Sequence, residues 1–109
     1  MSSPPRPDDS ARAAAKALKH AIRREFIHGL IAADGPVAPS THADEKGLPV
    51  SSVSYHVRVL TTLGVVEAVE SVKRRASTES RYRLGGPNCH QALTMLPVVD
   101  QIAARRRKQ

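Results

Sequence analysis

The first third of the chain has an apolar residue at nearly every fourth position. The residues that set this register are Ala14, Leu18, Ile22, Phe26 and Leu30. Four-residue spacing is typical of an amphipathic helix. The sequence therefore predicts one long helix over residues 10–33, ended by Asp34-Gly35-Pro36. Residues 1–9 contain three prolines and are predicted to form a disordered arm.

Two more helices are predicted in the middle of the chain. Residues 39–46 begin with Pro39-Ser40 and are followed by Gly47, which favours a short helix. After a turn at Leu48-Pro49, residues 50–63 have an apolar stripe and a polar opposite side. The stripe contains Val53, Val57 and Leu60. The polar side contains Ser51, Ser54, Tyr55, Arg58 and Thr62.

Alternating residues replace the helical period after Gly64. The Val-rich residues 65–72 predict a strand, residues 73–80 a polar basic loop, and residues 81–84 a short return strand. A last helix is predicted over residues 92–105, with Pro97 either interrupting it or marking its true start. The predicted fold class is α+β, mainly helical with one small hairpin.

The excess positive charge lies in the last third of the chain. The 109 residues carry a formal net charge of +7, but residues 1–72 hold 8 basic and 8 acidic side chains and sum to zero. Residues 73–109 hold 9 basic and 2 acidic side chains. The cations form one cluster in the predicted hairpin and another at residues 105–108. Concentrated positive charge attracts polyanions such as nucleic acids.

The composition excludes several classes of protein. Without Trp, and with one Phe and two Tyr, an aromatic platform for single-stranded nucleic acid is not expected. One Cys excludes an intramolecular disulfide. No apolar run approaches the roughly 20 residues that a membrane-spanning helix needs. Residues 1–9 have no apolar stretch and are not expected to act as a signal peptide. A cytoplasmic, nucleoid-associated protein without a membrane partner is expected.

The order of the elements predicts a helix-turn-helix. A short helix, a turn and a second helix with small polar residues outside describe this motif, and the hairpin after it would be a wing. Residues 53–60, Val-Ser-Tyr-His-Val-Arg-Val-Leu, together with residues 63–67, resemble the recognition helix and wing entry of ArsR-type bacterial transcription regulators. Residues 76–84 resemble the second wing strand of that family, and residues 18–33 its first core helix.

The resemblance implies a domain plan and a set of DNA contacts. It implies a winged helix-turn-helix domain over residues 10–84, then a C-terminal dimerisation helix and basic tail over residues 85–109. The predicted base-reading residues are Ser51, Ser52, Ser54 and Tyr55. The predicted phosphate and wing contacts are Arg58, Lys73, Arg74, Arg75 and Arg81.

A homodimer is also expected, because first and last helices often form the dimer interface in the resembled family. The predicted interface residues are Ala14, Leu18, Leu93, Leu96, Val99 and Ile102. The alternative is that this apolar face closes the core of the single protomer. A two-fold dimer predicts an inverted-repeat site on double-stranded DNA, with half-sites about one helical turn apart.

No metal site, cofactor or catalytic constellation is predicted. The paired cysteines of metal-sensing family members are absent, and Cys89 stands alone. His20 and His28, eight residues apart on one predicted helix, face broadly the same way but are too few to bind a metal. His42 and Lys46 stand where the family has leucines, and His42 is expected to be a solvated loop residue. No Gly-rich phosphate loop, HExxH or GxSxG motif is present.

The predicted function is a sequence-specific DNA-binding transcription regulator, and the expected mode of action is repression by operator occupancy. One alternative is a winged-helix module that binds protein partners, because the fold does not fix the function. Another is an architectural nucleic-acid-binding protein driven by the two basic clusters. The sequence identifies no small-molecule effector.

Overall fold

The computed structural model describes residues 6–74 and 77–107, which form five helices and one hairpin. The elements are α1 (Pro7–Ala17), α2 (Ala21–Ala32), α3 (Pro39–Lys46), α4 (Val50–Thr62), β1 (Val66–Arg74), β2 (Ser77–Leu84) and α5 (Cys89–Arg107). The predicted α+β class is confirmed. Helix α1 starts at Pro7, three residues before the predicted start, and residues 1–5 of the predicted arm lie outside the described residues.

The single long helix predicted over residues 10–33 is wrong, because the chain turns between Leu18 and His20. Helix α1 ends there, and His20 takes an extended conformation before α2 begins. Arg24 donates to the carbonyl oxygen of Leu18 at 2.7 Å, and Arg23 donates to that of Lys16 at 2.9 Å. Side chains of α2 thus satisfy carbonyl groups that the end of α1 leaves without helical partners.

Helices α3 and α4 match their predictions. Helix α3 has the predicted bounds, and Gly47 follows it with a left-handed φ of 65°, a conformation in which glycine carries no steric penalty. Helix α4 ends one residue before the predicted end. Its predicted stripe of Val53, Val57 and Leu60 is fully buried, which turns the opposite side of α4 outward.

The hairpin is longer than predicted. Strands β1 and β2 are antiparallel and pair from Val66 opposite Leu84 to Arg74 opposite Ser77, with a bulge between Ala68 and Glu70. The loop predicted over residues 73–80 is therefore wrong, because most of this polar segment continues the ladder. Polar residues suit an exposed two-stranded ribbon as well as a loop, so composition alone could not separate the two.

The last helix runs without interruption from Cys89 to Arg107, and Pro97 lies inside it. The predicted break or start at Pro97 is therefore wrong. Pro97 is exposed, so its ring does not disturb the packing of α5 on α1. A proline on the outer side of a packed helix costs one backbone hydrogen bond without ending the helix.

One core joins the helices to the base of the hairpin. Its largest buried apolar side chains are Leu18, Phe26, Ile27, Val53, Val57, Leu60, Val65 and Val66. Val37 also forms a bridge to Tyr82 through two backbone hydrogen bonds of 2.9 Å, which fixes the loop after α2 to strand β2. Across the described part of the chain, no helix has the length and apolar character that crossing a membrane requires.

Candidate nucleic-acid interface

Helix α4 presents the predicted base-reading residues on its outward side. Ser51 and Arg58 are exposed, Ser54 is half-buried, and Tyr55 is 57% exposed. These four residues project from one helix face because Val53 and its stripe point into the core. Ser52 lies further round the helix and is half-buried, so the structure places it at the edge of this face.

An open cleft separates α4 from strand β2. Its volume is about 420 Å³, and it is lined by Pro39, Ser40, Val50, Ser54, Arg58, Thr78, Glu79, Ser80 and Tyr82. The Ser40 hydroxyl donates to Oε1 of Glu79 and so connects α3 to β2 across the cleft. Ser54 and Arg58 of the outward face line this cleft, whereas Val50 brings an apolar side chain to it. The cleft therefore combines hydroxyl, carboxylate, guanidinium and apolar groups.

Two arginines of the hairpin form ion pairs with glutamates on the opposite strand. Nη1 of Arg81 lies 3.1 Å from Oε1 of Glu70, and Nη2 of Arg83 lies 2.6 Å from Oε1 of Glu67. The strand register places Glu70 opposite Arg81, so this ion pair would compete with a phosphate for the guanidinium, and the phosphate contact of Arg81 remains a prediction. Lys73 is exposed, and no salt bridge to it is seen among the described residues.

The two remaining predicted wing cations are Arg74 and Arg75. Arg74 pairs with Ser77 in the last step of the ladder. Arg75 lies outside the described residues. Their predicted contact with phosphate remains a prediction.

A second group of cations lies beside α4, in the turn between α1 and α2. The rings of His20 and His56 have centroids 5.2 Å apart, and the ring of Tyr55 lies 5.2 Å from that of His56. Arg23 is only 6% exposed, and its charge acts on both Tyr55 and His56. Burial lowers the pKa of His56, and the charges of Arg23 and His20 lower it further.

The prediction of one long helix over residues 10–33 did not reveal this group. An uninterrupted helix would spread its cations along a single solvated side. The turn instead brings His20 against α4. The available signal in the sequence was a dense run of basic residues. Nine positions contain five of them: Lys16, Lys19, His20, Arg23 and Arg24.

Comparison with known proteins finds similarity at the level of structure. No protein-family model and no curated protein matches the chain. HlyU from Vibrio cholerae superposes with a TM-score of 0.61 at 19% identity, covering 87% of this chain and 92% of that one. A possible transcriptional regulatory protein from Mycobacterium bovis (fragment 1–100) superposes with a TM-score of 0.58 at 27% identity, covering 88% and 92%.

A solution structure of the Mycobacterium bovis fragment is also similar, with a TM-score of 0.59 at 24% identity and coverage of 95% and 91%. It is described as a homodimeric winged helix-turn-helix DNA-binding domain of a possible ArsR-family regulator. The present chain has the winged helix-turn-helix fold. The resemblance to ArsR-type proteins is thus confirmed in the fold, in which α4 occupies the position of the recognition helix and the β1–β2 hairpin that of the wing.

The predicted dimer interface of this winged helix-turn-helix domain is wrong for three of its six residues, which lie in the core of the protomer. Ala14 and Leu18 are fully buried and Leu96 is 3% exposed, because α1 packs along α5 within the same protomer. Leu93 and Val99 are half-buried. Ile102 is 45% exposed, and Val98, which was not predicted, is 57% exposed on the same helix.

The remaining histidines and the cysteine behave differently from one another. His42 is 2% exposed, so the expectation of a solvated loop histidine is wrong. The expected common face of His20 and His28 is also wrong, because the turn places His20 before α2. His28 bonds to Oδ2 of Asp100 at 2.8 Å. Burial raises the pKa of the half-buried Cys89 thiol, which lowers its reactivity.

No group of three or more metal-binding side chains is present among residues 6–74 and 77–107.

Proposed function

We propose that this chain is a sequence-specific regulator of transcription that binds double-stranded DNA and represses by occupying its operator. The observation that carries the proposal is the outward face of the recognition helix. Ser51, Ser54 and Tyr55 lie there with Arg58, next to an open cleft and a wing. The proposal assigns the chain no enzymatic activity and no cofactor, and a regulator of this kind works at the nucleoid.

The chemistry of the recognition helix suits the major groove. The groove is wide enough to admit an α-helix, and short side chains let the helix approach the base edges. The hydroxyl groups of Ser51, Ser54 and Tyr55 donate and accept hydrogen bonds, so they can pair with several base edges. Val50 is 45% exposed and suits contact with a thymine methyl group. Arg58, one turn further on, suits a phosphate.

The proposal includes a homodimer, since the Mycobacterium bovis neighbour is described as homodimeric. The surface that suits a second copy is the outer side of α5, where Val98 and Ile102 are exposed one helical turn apart. The half-buried Leu93 and Val99 lie on the same helix. A two-fold axis through α5 would present two recognition helices to an inverted repeat.

The test is a selection from random duplex DNA by the purified protein at about 150 mM salt, where non-specific contacts are weakened. Enrichment of an inverted repeat is the expected result. The Ser54→Ala and Tyr55→Ala variants should then lose discrimination between this repeat and mutated copies, while the control Thr94→Ala on α5 should keep it. Binding without enrichment, lost as salt rises, would instead indicate an architectural protein. No binding would favour a protein-interaction module.

A further inference from the structure

We propose that the turn between α1 and α2 is a second phosphate-contact surface for DNA, and that the adjoining His56 takes up a proton when phosphate binds there. The inference rests on the proposed function. The turn would extend the DNA interface to the side of the recognition helix that faces away from the wing.

The position of the turn is the first argument. The recognition helix has two flanks: Val50 and Ser54 line the cleft towards the wing, whereas His56 lies against His20 of the turn. A helix in the major groove lies between two phosphate backbones. Basic groups on both flanks of the helix therefore match the two backbones.

The charge of the turn is the second argument. Lys16, Lys19 and His20 are exposed, and the buried Arg23 follows in the first turn of α2. Arg24, the next residue, is paired with Asp100, whose Oδ1 lies 3.6 Å from its Nε. Helix α2 starts at this surface, and no side chain among the described residues caps its first backbone N–H groups. The start of a helix carries partial positive charge and favours an anion.

Buried nitrogen atoms without a hydrogen-bond partner are the third argument. Nε of Arg23 and Nδ1 of His56 are buried without a hydrogen-bond partner in the described part of the chain. Arg23 is more than nine-tenths buried, and Tyr55 of the recognition helix lies within reach of its charge. Buried polar atoms are nearly always hydrogen-bonded, so two orphaned nitrogens next to one ring pair are unusual. An anion at the turn would compensate this concentration of positive charge.

Proton uptake follows from the groups that face His56. These are Arg23 from α2, His20 from the turn and Tyr55 from its own helix. In the free protein, burial and the two basic neighbours hold the pKa of His56 below its usual value. A phosphate reverses the electrostatic balance and favours the charged imidazole. DNA affinity must then increase as the pH falls, because binding and protonation favour each other.

The experiment measures binding to a fluorescent 30-base-pair duplex of random sequence at pH 6 and pH 8, between 50 and 200 mM salt. The wild type should bind up to about tenfold more tightly at pH 6 than at pH 8, because one additional proton is bound in the complex. The slope of log affinity against log salt should be steeper at pH 6, by about 0.9 for each additional charge. The double variant His20→Gln/His56→Gln should lose both differences, whereas the control His28→Gln/His90→Gln should keep them.

A further variant tests the surface without altering the His56 ring. Lys19→Gln, at an exposed position, should lower the salt slope by about 0.9 at both pH values, and Arg12→Gln on α1 serves as its control. Equal wild-type affinity at both pH values, or pH dependence that survives in the folded double variant, would overturn the inference and leave the proposed function standing. Absence of DNA binding under every condition would overturn the proposed function itself.

Discussion

The imidazole ring of His42 packs edge-on against the ring of Phe26, with centroids 5.2 Å apart and planes at 81°. His42 is 2% exposed, and its Nε2 lacks a hydrogen-bond partner among the described residues. Burial lowers the pKa of His42, and Lys46 lowers it further, against the opposing effect of Glu25 and Glu45. The core therefore holds a neutral histidine with an unmade hydrogen bond.

The variant His42→Leu should be more stable than the wild type. Leucine has a similar volume and leaves no buried polar atom, whose burial without a partner costs about 1–3 kcal/mol. The free energy of unfolding, measured with urea at pH 7.5, should rise by up to this amount. A lower value would show that Nε2 is satisfied in solution.

The same substitution should change the pH dependence of stability. Because the folded pKa of His42 is below the unfolded value of 6.5, its contribution is fully present above pH 6.5 and is lost as the pH falls through the folded pKa. Between pH 7.5 and pH 5.5, His42→Leu should lose less stability than the wild type. The exposed His90→Gln should follow the wild type. The pKa of His56 is also lowered, so all three proteins should retain a pH dependence of stability from this residue. This contribution should be smaller than that of His42.

Local sequence signals determined how much of the fold could be predicted. Helices α3 and α4 were predictable because Pro39, Gly47 and Gly64 mark their ends and an apolar stripe marks the buried side of α4. The turn after Leu18 has no such signal. It depends on Arg24 and its neighbour Arg23, which bond to carbonyl groups six and seven residues earlier.

The site was predictable where one helix face defines it and unpredictable where pairing defines it. The outward position of Ser51 and Tyr55 follows from helical geometry once Val53 is placed in the core. The pairing of Arg81 with Glu70 depends on a bulge in the hairpin, which the alternation of residues does not reveal. Periodicity likewise shows that Leu96 is buried without showing whether its partner is its own chain or another.

Removing the partner of Arg81 should strengthen DNA binding. In the Glu70→Gln variant, the guanidinium of Arg81 loses its ion pair and the wing loses one negative charge. Affinity for a random duplex at 100 mM salt should rise about twofold to fivefold, since an exposed ion pair is worth at most about 1 kcal/mol. Glu25→Gln removes the same charge from α2, outside the wing, and should have a smaller effect. Equal effects of the two variants would show that net charge alone controls binding.

The connection between the wing and α5 should not tolerate a side chain at Gly86. This residue has a φ of 121°, and a Cβ atom there would lie 2.5 Å from the carbonyl oxygen of Gly64. Gly86→Ala should lower the free energy of unfolding in urea by more than about 2 kcal/mol. Gly35→Ala is the matched control, because no atom lies within 4 Å of its added Cβ. Similar stability of the two variants would contradict this account.

Arg58 should hold a phosphate in the complex with DNA. It is exposed on the outward face of the recognition helix, and no ion pair engages it in the described part of the chain. Arg58→Ala should therefore lower the slope of log affinity against log salt by about 0.9, the value for one phosphate contact. Arg83→Ala should lower it less, because Glu67 already neutralises that guanidinium. Arg58→Lys keeps the charge and should restore most of the slope. If Arg58→Ala leaves the slope unchanged while Arg83→Ala reduces it, the outer edge of the wing, rather than the recognition helix, contacts the backbone.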